Sequence, residues 1–394
     1  HGRGVREGDV VALTFANEVT LLVAMLAVAR LGATVFSVPA ATGPLHAAQM
    51  PGEAKARVLA PDLPDPPAAG EASLPRLQVD LPAIARSSAP VDRSIRVAAP
   101  AAPWLLISGS GSTGRSKLIP STHAQGNTLM RIENAAHPLP EDACIVSLPH
   151  LDFASAKRNV LRVLLHGGCV VLFERGRTDV HALCRQHDVT IMLATVSHIE
   201  KMLEALPPDA RNLLPTLKML FLTSSTVTDS LRRRIVHQLT PNLYVRYGTN
   251  EIGLISLATP AQVISTPGSI GIPLPDVTVE IVDPQGRPLP AGEAGLLRAR
   301  SPGTFEGYLG DDEANRRAFA DGWFLPGDLA KFTDDGQLIY CGRADHMMIM
   351  DGINIYPAEI ERVACEHPAV RDAAAVPVTS EIHQDIPVCA VALH

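Results

Sequence analysis

Aromatic residues are scarce in this chain, at 4% of 394 residues, so the composition points to no particular aryl-binding pocket. Cysteine is scarce as well. Cys144, Cys169, Cys184, Cys341, Cys365 and Cys389 show none of the paired spacings that suit zinc or redox work, and they read as thiols of a reducing compartment. No apolar run reaches the roughly 18 residues that a membrane-spanning helix needs. The opening HGRGVREGDVVALTF is punctuated by charges and has no apolar block before a cleavage site, so it does not read as a signal peptide. It also lacks an initiator Met. A fragment of a longer chain, in the cytoplasm, is the expectation. Positive charge is in short supply: 34 Lys and Arg against 41 Asp and Glu leave a net charge of -7, which gives no footprint for nucleic acid. The tight basic cluster Arg232 to Arg234 lies in a helix-like stretch and reads as a solvated helix face. No internal repeat with a period of roughly 20–50 residues interrupts the chain, nor any low-complexity tract.

What is present is a large apolar content, 46%, enough for more than one domain. Asp9 to Phe15 is a short β-branched run, Glu18 to Leu31 has helical apolar spacing, Gly32 closes it, and Ala33 to Pro39 is again strand-like. Strand, helix, Gly, strand is the pattern of a βαβ unit on a parallel sheet. The pattern recurs through Cys169–Phe173, Val180–His187 and Thr190–Ala194, then Met219–Leu222, Asp229–Leu239 and Leu243–Arg246. The middle of the chain is therefore expected to be doubly wound α/β. The stretch from about Met50 to Ala102, rich in Pro and Ala, reads as irregular connection. After Thr266, short alternating runs separated by DPQG, PAGE and DDG turns predict an antiparallel β-rich region, and the residues from about Ala344 a small α+β unit.

One loop carries phosphate chemistry on its face. The strand Trp104 to Ile107 runs into Ser108-Gly-Ser-Gly-Ser-Thr-Gly-Arg-Ser-Lys117. Glycines let successive backbone N–H groups turn toward one anion, hydroxyls add donors, and Lys117 supplies a point charge. A P-loop is the rival, since Gly109 and Gly114 satisfy its glycine spacing, but Arg115 stands where that loop needs Lys. The segment resembles the Ser/Thr/Gly-rich loop of the acyl-adenylate-forming ligase superfamily, which includes acyl-CoA ligases and the adenylation domains of peptide synthetases. Here Gly111 is an additional glycine and Ser116 replaces the usual Pro. The resemblance implies phosphate binding by Ser108, Ser110, Gly111, Ser112, Thr113, Gly114 and Lys117.

Four further segments occur in the order that the family shows. Tyr247-Gly-Thr-Asn-Glu251 resembles its Y-G-x-T-E, with Asn250 in place of Thr. This implies Tyr247 near adenine, Gly248, Thr249 and Asn250 about the nucleotide, with Gly248 shared by the acyl pocket, and Glu251 on a magnesium ion. A carboxylate suits a hard cation beside phosphates, although Glu251 taken alone reads first as an acid at a helix N-terminus. Gly322-Trp-Phe-Leu-Pro-Gly-Asp328 resembles G-W-x-x-T-G-D, whose Asp accepts both ribose hydroxyls; alone it is an Asp in a turn. Tyr340-Cys-Gly-Arg-Ala-Asp345 resembles the junction between large and small domains, placing Tyr340 and Arg343 at the nucleotide and Asp345 at the hinge. Asp351-Gly-Ile-Asn-Ile-Tyr-Pro-Ala-Glu-Ile-Glu361 is close to a segment of acyl-CoA ligases. One such match arises by chance; this series does not.

The resemblance covers nearly the whole chain and implies a large domain over residues 1–343, truncated at its N-terminus, and the start of a small mobile domain over 344–394. It implies ATP-dependent activation of a carboxylic acid as acyl-AMP with release of pyrophosphate. Lys117, Glu251 and Arg343 would be the catalytic residues. Transfer to the thiol of CoA, or of the phosphopantetheine on an acyl or peptidyl carrier protein, would follow. The family's late catalytic Lys is expected beyond His394. Two departures stand out. Ser224 and Ser225 occupy positions near adenine where the family has glycines. In the acyl pocket, His150, Asp152 and Phe153 lie in Ser147-Leu-Pro-His-Leu-Asp-Phe153, loosely like the F-D-x-S of amino-acid-activating domains. Asp152 then either pairs with a substrate ammonium or simply caps a helix, and His150 is either a gate or a loop residue. A non-catalytic nucleotide-binding homologue is the rival from another class.

Overall fold

The computed structural model describes residues 4–38, 50–52, 54–61, 79, 81–86, 98–109, 117–207, 209–223, 227–350, 353–380 and 384–393. The first sheet runs β3-β1-β2-β4-β5, from β1 (Val10–Thr14), β2 (Thr34–Ser37), β3 (Val58–Pro61), β4 (Pro103–Gly109) and β5 (Lys117–Thr122). β1, β2, β3 and β4 are parallel, whereas β4 and β5 are antiparallel, with Gly109 opposite Lys117. Among the described residues, β3 and a short helix at Leu81–Arg86 fall inside the stretch read from sequence as irregular. β3 lacks the flanking signals of its neighbours and is specified by pairing with β1, a non-local contact that local patterning cannot report.

The second sheet begins with the parallel strands β6 (Cys144–Ser147), β7 (Cys169–Val171), β8 (Ile191–Thr195), β9 (Met219–Thr223) and β10 (Leu243–Thr249), in the order β7-β6-β8-β9-β10. These strands are apolar on both faces. Ile191, Leu193 and Phe221 pack into the core shared with the first sheet. Met192, Ala194, Leu220 and Leu222 face the opposite way, against Ile199, Met202, Leu231 and Ile235 of the covering helices. A strand buried on both sides reads as a continuous apolar run, and so these segments do. The predicted Asp229–Leu239 helix is α-helical over Asp229–Arg234 and widens to a π-turn over Ile235–Leu239. Beyond β10 the sheet turns antiparallel through β11 (Gly253–Ala258), β12 (Ser269–Pro273), β13 (Thr278–Val282), β14 (Gly295–Arg300), β15 (Phe319–Ala320), β16 (Trp323–Phe324), β17 (Asp328–Phe332) and β18 (Leu338–Arg343). After β18, a separate sheet β20-β19-β22-β21 forms from β19 (Met348–Met350), β20 (Ile353–Ile355), β21 (Val370–Ser380) and β22 (Gln384–Leu393), with the helix Pro357–Ala364 against it. The doubly wound sheets, β-rich region and α+β unit expected from sequence are all present.

Two helices matter for the site. His123–Ala136 starts in a capping box: Gln125 N donates to Thr122 Oγ1 at 3.1 Å, and Thr122 N donates to Gln125 Oε1 at 2.9 Å. Ala154–Leu165 begins at Phe153, which caps it without a side-chain bond. It buries Lys157, Asn159 and Arg162 among its apolar residues.

Candidate active site

A cleft of about 970 Å³ opens where the first sheet, the second sheet and the start of the Ala154–Leu165 helix converge. Its walls carry Lys117 at the start of β5, Gly248 to Glu251 at the end of β10, Asp328 at the start of β17, and Arg343 at the end of β18. Ser108, Gly109, Asp152, Phe153 and Asp345 line it as well. A smaller pocket of about 320 Å³ adjoins it and is lined by Tyr247, Gly248, Asp328 and Tyr340. The predicted residues Ser110 to Gly114, with Ser224 and Ser225, lie outside the described residues.

The β4–β5 pairing disposes of the P-loop rival. Lys117 opens a strand antiparallel to the one that precedes the loop, whereas a P-loop lysine sits at the start of a helix. Glu251 likewise does not begin a helix. It occupies the turn between β10 and β11, and β10 runs on through Tyr247 to Thr249 where sequence reading stopped it at Arg246. The turn is tight. A Cβ on Gly248 would lie 2.2 Å from Gly253 O and 2.8 Å from the Leu254 Cα, so only glycine fits at this bulged crossing.

Tyr308 links Glu251 to Lys117, and sequence reading left it out of the site. Its hydroxyl donates to Glu251 Oε1 at 2.9 Å, and Lys117 Nζ sits 4.7 Å from its ring centroid. Burial and then the Glu251 charge raise the Tyr308 pKa well above the usual phenol value, so the phenol stays a donor. Phe305 N donates to Glu251 O at 2.9 Å and fixes the backbone. Among the described residues no group of three or more His, Cys, Asp and Glu gathers as a ready-made metal cage. Glu251 supplies one carboxylate on the cleft wall, sharing Tyr308 with Lys117. That is a fitting donor set for a magnesium ion that brings phosphate oxygens with it.

On the other side, Tyr247 Oη donates to Asp328 Oδ2 at 2.5 Å, while Arg343 Nη1 reaches Asp328 Oδ1 at 3.2 Å and Pro326 O at 2.7 Å. Burial raises the Asp328 pKa against the opposing pull of Tyr247 and Arg343. Arg343 Nε also donates to Asp345 Oδ1 at 3.1 Å. Tyr340 stands 6.1 Å from Tyr247, centroid to centroid. The structure thus brings Tyr247, Asp328, Tyr340, Arg343 and Asp345 into one chain of contacts, although 98 positions separate Tyr247 from Asp345 in the sequence.

At the end of the cleft beside the Ala154–Leu165 helix, Asp152 is one residue too early to cap that helix. Its carboxylate Oδ2 lies 2.6 Å from His150 Nδ1, and its backbone carbonyl accepts from the buried Lys157 Nζ at 2.8 Å. Burial opposes a charged His150, but the hydrogen bond and charge of Asp152, with Glu18 beyond, outweigh it and raise the imidazole pKa. His150 lies behind Asp152, its Nε2 3.9 Å from Glu18 Oε1, whereas Phe153 lines the cleft. Lys157 is shifted the other way, its pKa lowered to about 8 by burial. Arg158 also lines the cleft and was likewise missed. The available signal was a conflict of patterns, with Lys157 and Arg162 falling where the helix buries apolar side chains.

Residues 1–309 match the family of AMP-binding enzymes, and the chain belongs to that family. It is 33% identical to pseudomonine synthase PmsE of Pseudomonas entomophila over 281 residues, which are 69% of this chain and 45% of that protein. It is 26% identical to the 2-succinylbenzoate–CoA ligase of Bacillus licheniformis over 392 residues, 98% of this chain and 79% of that one. In fold it matches the o-succinylbenzoate CoA synthetase MenE of Bacillus subtilis in complex with AMP, with a TM-score of 0.85 at 21% identity, covering 100% of this chain and 80% of that one. The chain spans about half the length of several curated relatives that it matches. No helix among the described residues is long and apolar enough to cross a membrane.

Proposed function

We propose that this chain is the adenylating part of an acid–thiol ligase. A substrate carboxylate attacks the α-phosphorus of ATP and pyrophosphate leaves. The acyl group then passes from the adenylate to a thiol, with AMP as the second product. The observation that carries the reading is the meeting of Lys117, Glu251, Asp328 and Arg343 in one cleft, from four separated stretches of chain.

Each residue has a role that its surroundings suit. Lys117 neutralises phosphate charge from the edge of β5. Glu251, steadied by Tyr308, would hold magnesium, which supplies further neutralisation of the phosphates when bound. Asp328 presents acceptor oxygens to a vicinal diol, and Arg343 fixes that carboxylate from β18. Tyr247, Gly248 and Tyr340 form the pocket for the base. The protein's contribution is positioning and electrostatics, with no covalent step on a side chain. Asp345, exposed after β18 and paired with Arg343, is the hinge about which the α+β unit turns for the second half-reaction.

CoA and a carrier-bound phosphopantetheine are the two acceptors that suit this reading. A carboxylate at the acyl end also favours an amine-bearing acid loaded onto a carrier protein, which is the second reading; Asp152 lining the cleft is its support. The test is acid-dependent exchange of pyrophosphate into ATP by the full-length protein over fatty, aryl, α-amino and β-amino acids. Exchange with an amino acid that Asp152→Ala abolishes selects the second reading. Exchange with a plain acid selects the first. ATP binding with no exchange for any acid would point to a non-catalytic homologue.

A further inference from the structure

Behind the acyl end of the cleft lies a buried group of charges that do not balance. Arg158 Nη1, Arg162 Nη1 and Arg246 Nη2 lie 3.3, 3.5 and 2.8 Å from the carboxylate of Glu133. Among the described residues the ion pairs of these three arginines all converge on Glu133. Their other partners are neutral: Arg246 Nη1 donates to Asn159 Oδ1 at 2.8 Å, and Arg162 Nε to Asn134 Oδ1 at 2.5 Å. His137 adds no negative charge, because its Nε2 lies 2.9 Å from Arg162 Nη1 and therefore acts as an acceptor on a neutral ring. Three guanidinium charges face one carboxylate, and burial makes such an excess costly unless something anionic answers it.

The excess has an outlet. The Arg162 and Arg246 side chains are 1% and 5% exposed, whereas Arg158 is 13% exposed and lines the cleft. It stands one turn after Ser155 on the Ala154–Leu165 helix, which puts both on the same face toward the acyl end. Gly253 keeps the path clear: a Cβ there would meet Arg158 Nη1 at 2.7 Å. Of the other charges at this end, Asp152 is answered by His150 at 2.6 Å, and the Lys157 ammonium donates to the Asp152 backbone carbonyl at 2.8 Å.

We infer that Arg158 is a specificity residue that receives a second anionic group on the acid being activated, so that the preferred substrate class is a dicarboxylic acid. This rests on the adenylation reading and goes beyond it by naming what the far end of the acid carries. One carboxylate reacts with ATP. The other accepts from the Arg158 guanidinium and halves the excess of positive charge that Glu133 leaves unanswered.

The test is pyrophosphate exchange by the full-length protein with succinate, glutarate, adipate and phthalate, each beside its monoamide, which keeps the shape and loses the distal charge. The best diacid should exceed its monoamide in kcat/KM by about tenfold or more, the difference lying in KM. Arg158→Gln should collapse that ratio toward one, while Arg158→Lys retains part of it. A wild-type ratio near one, or an Arg158→Gln variant that lowers both acids in equal proportion, overturns the inference and leaves Arg158 a structural partner of Glu133. If no acid supports exchange, it is the adenylation reading that fails. Calorimetric titration of the same pairs in the presence of AMP then decides the subsite: diacid binding that Arg158→Gln removes supports it, and equal or absent binding of both overturns it.

Discussion

Tyr308 donates its hydroxyl to Glu251 Oε1 at 2.9 Å while its ring lies under the Lys117 ammonium, 4.7 Å from centroid to nitrogen. One side chain therefore sets the positions of both groups proposed to meet the phosphates. Removing the hydroxyl frees the Glu251 carboxylate to rotate without disturbing the ring beneath Lys117. Tyr308→Phe is expected to raise the magnesium concentration for half-maximal exchange by about tenfold, the worth of a hydrogen bond to a charged group. Tyr308→Leu should in addition raise KM for ATP. A magnesium titration of both variants measures this, and identical curves for wild type and Tyr308→Phe would count against the role.

Asp328 accepts from Tyr247 and Arg343 on its two oxygens, so it is held as an acceptor pair at the cleft wall. Asp328→Asn keeps the shape but replaces one acceptor with a donor and breaks the charge-assisted contact to Arg343. KM for ATP should rise roughly ten- to a hundredfold. Tyr247→Phe, which removes only a donor to that carboxylate, should do less. Equilibrium binding of AMP to both variants checks the order.

Much of this arrangement was legible in the sequence, and the reason is local. Lys117, Glu251, Asp328 and Arg343 each stand in a short contiguous segment that resembles the family's, and the order of those segments singles them out. Glu251 alone reads as an acid at a helix N-terminus, and Asp328 alone as an Asp in a turn. The parts that escaped depend on distant partners. Tyr308 meets Glu251 57 positions away, and Arg158 meets Glu133 25 positions away, so neither contact leaves a mark on its own neighbours. Sequence alone offers Glu251 as an acid at a helix N-terminus and Asp152 as a helix cap, yet Glu251 sits in a β-turn and Asp152 one residue before the cap. Helix starts shift by a residue or two easily, and that was enough to change what Asp152 does.

Glu133 is 1% exposed and carries three arginines, so its loss strands them in the core. Glu133→Gln is expected to destabilise the fold by about 3–5 kcal/mol, because uncompensated buried charge is the costly outcome. Urea unfolding at neutral pH reads it directly. A variant within about 0.5 kcal/mol of wild type would mean that the cluster is solvated and the buried description wrong.

Acid should unfold the protein through the same cluster. Burial first, then Arg246 and Arg162, push the His137 pKa down to about 3 from an ordinary 6.5. The unfolded chain therefore binds a proton that the folded chain refuses between those values, and stability present above pH 6.5 falls as the pH drops. The slope is about 1.4 kcal/mol per pH unit for one proton. Burial alone would raise Glu133, but Arg246, Arg158 and Arg162 outweigh it and hold it at about 2, below its ordinary 4.5. Its contribution is present above 4.5 and is lost as the pH falls through about 2. His137→Gln should flatten the dependence between pH 6.5 and 4.5, and an unchanged slope would show that His137 is not the group responsible.

The adenylation reading is tested most directly by acid-dependent exchange of pyrophosphate into ATP, measured for full-length wild type and Glu251→Gln side by side with AMP binding. The account predicts exchange that requires a carboxylic acid and magnesium, and that falls by about a hundredfold or more in Glu251→Gln while AMP still binds. Exchange that proceeds equally well in Glu251→Gln, or that no acid stimulates in the wild type, would contradict it.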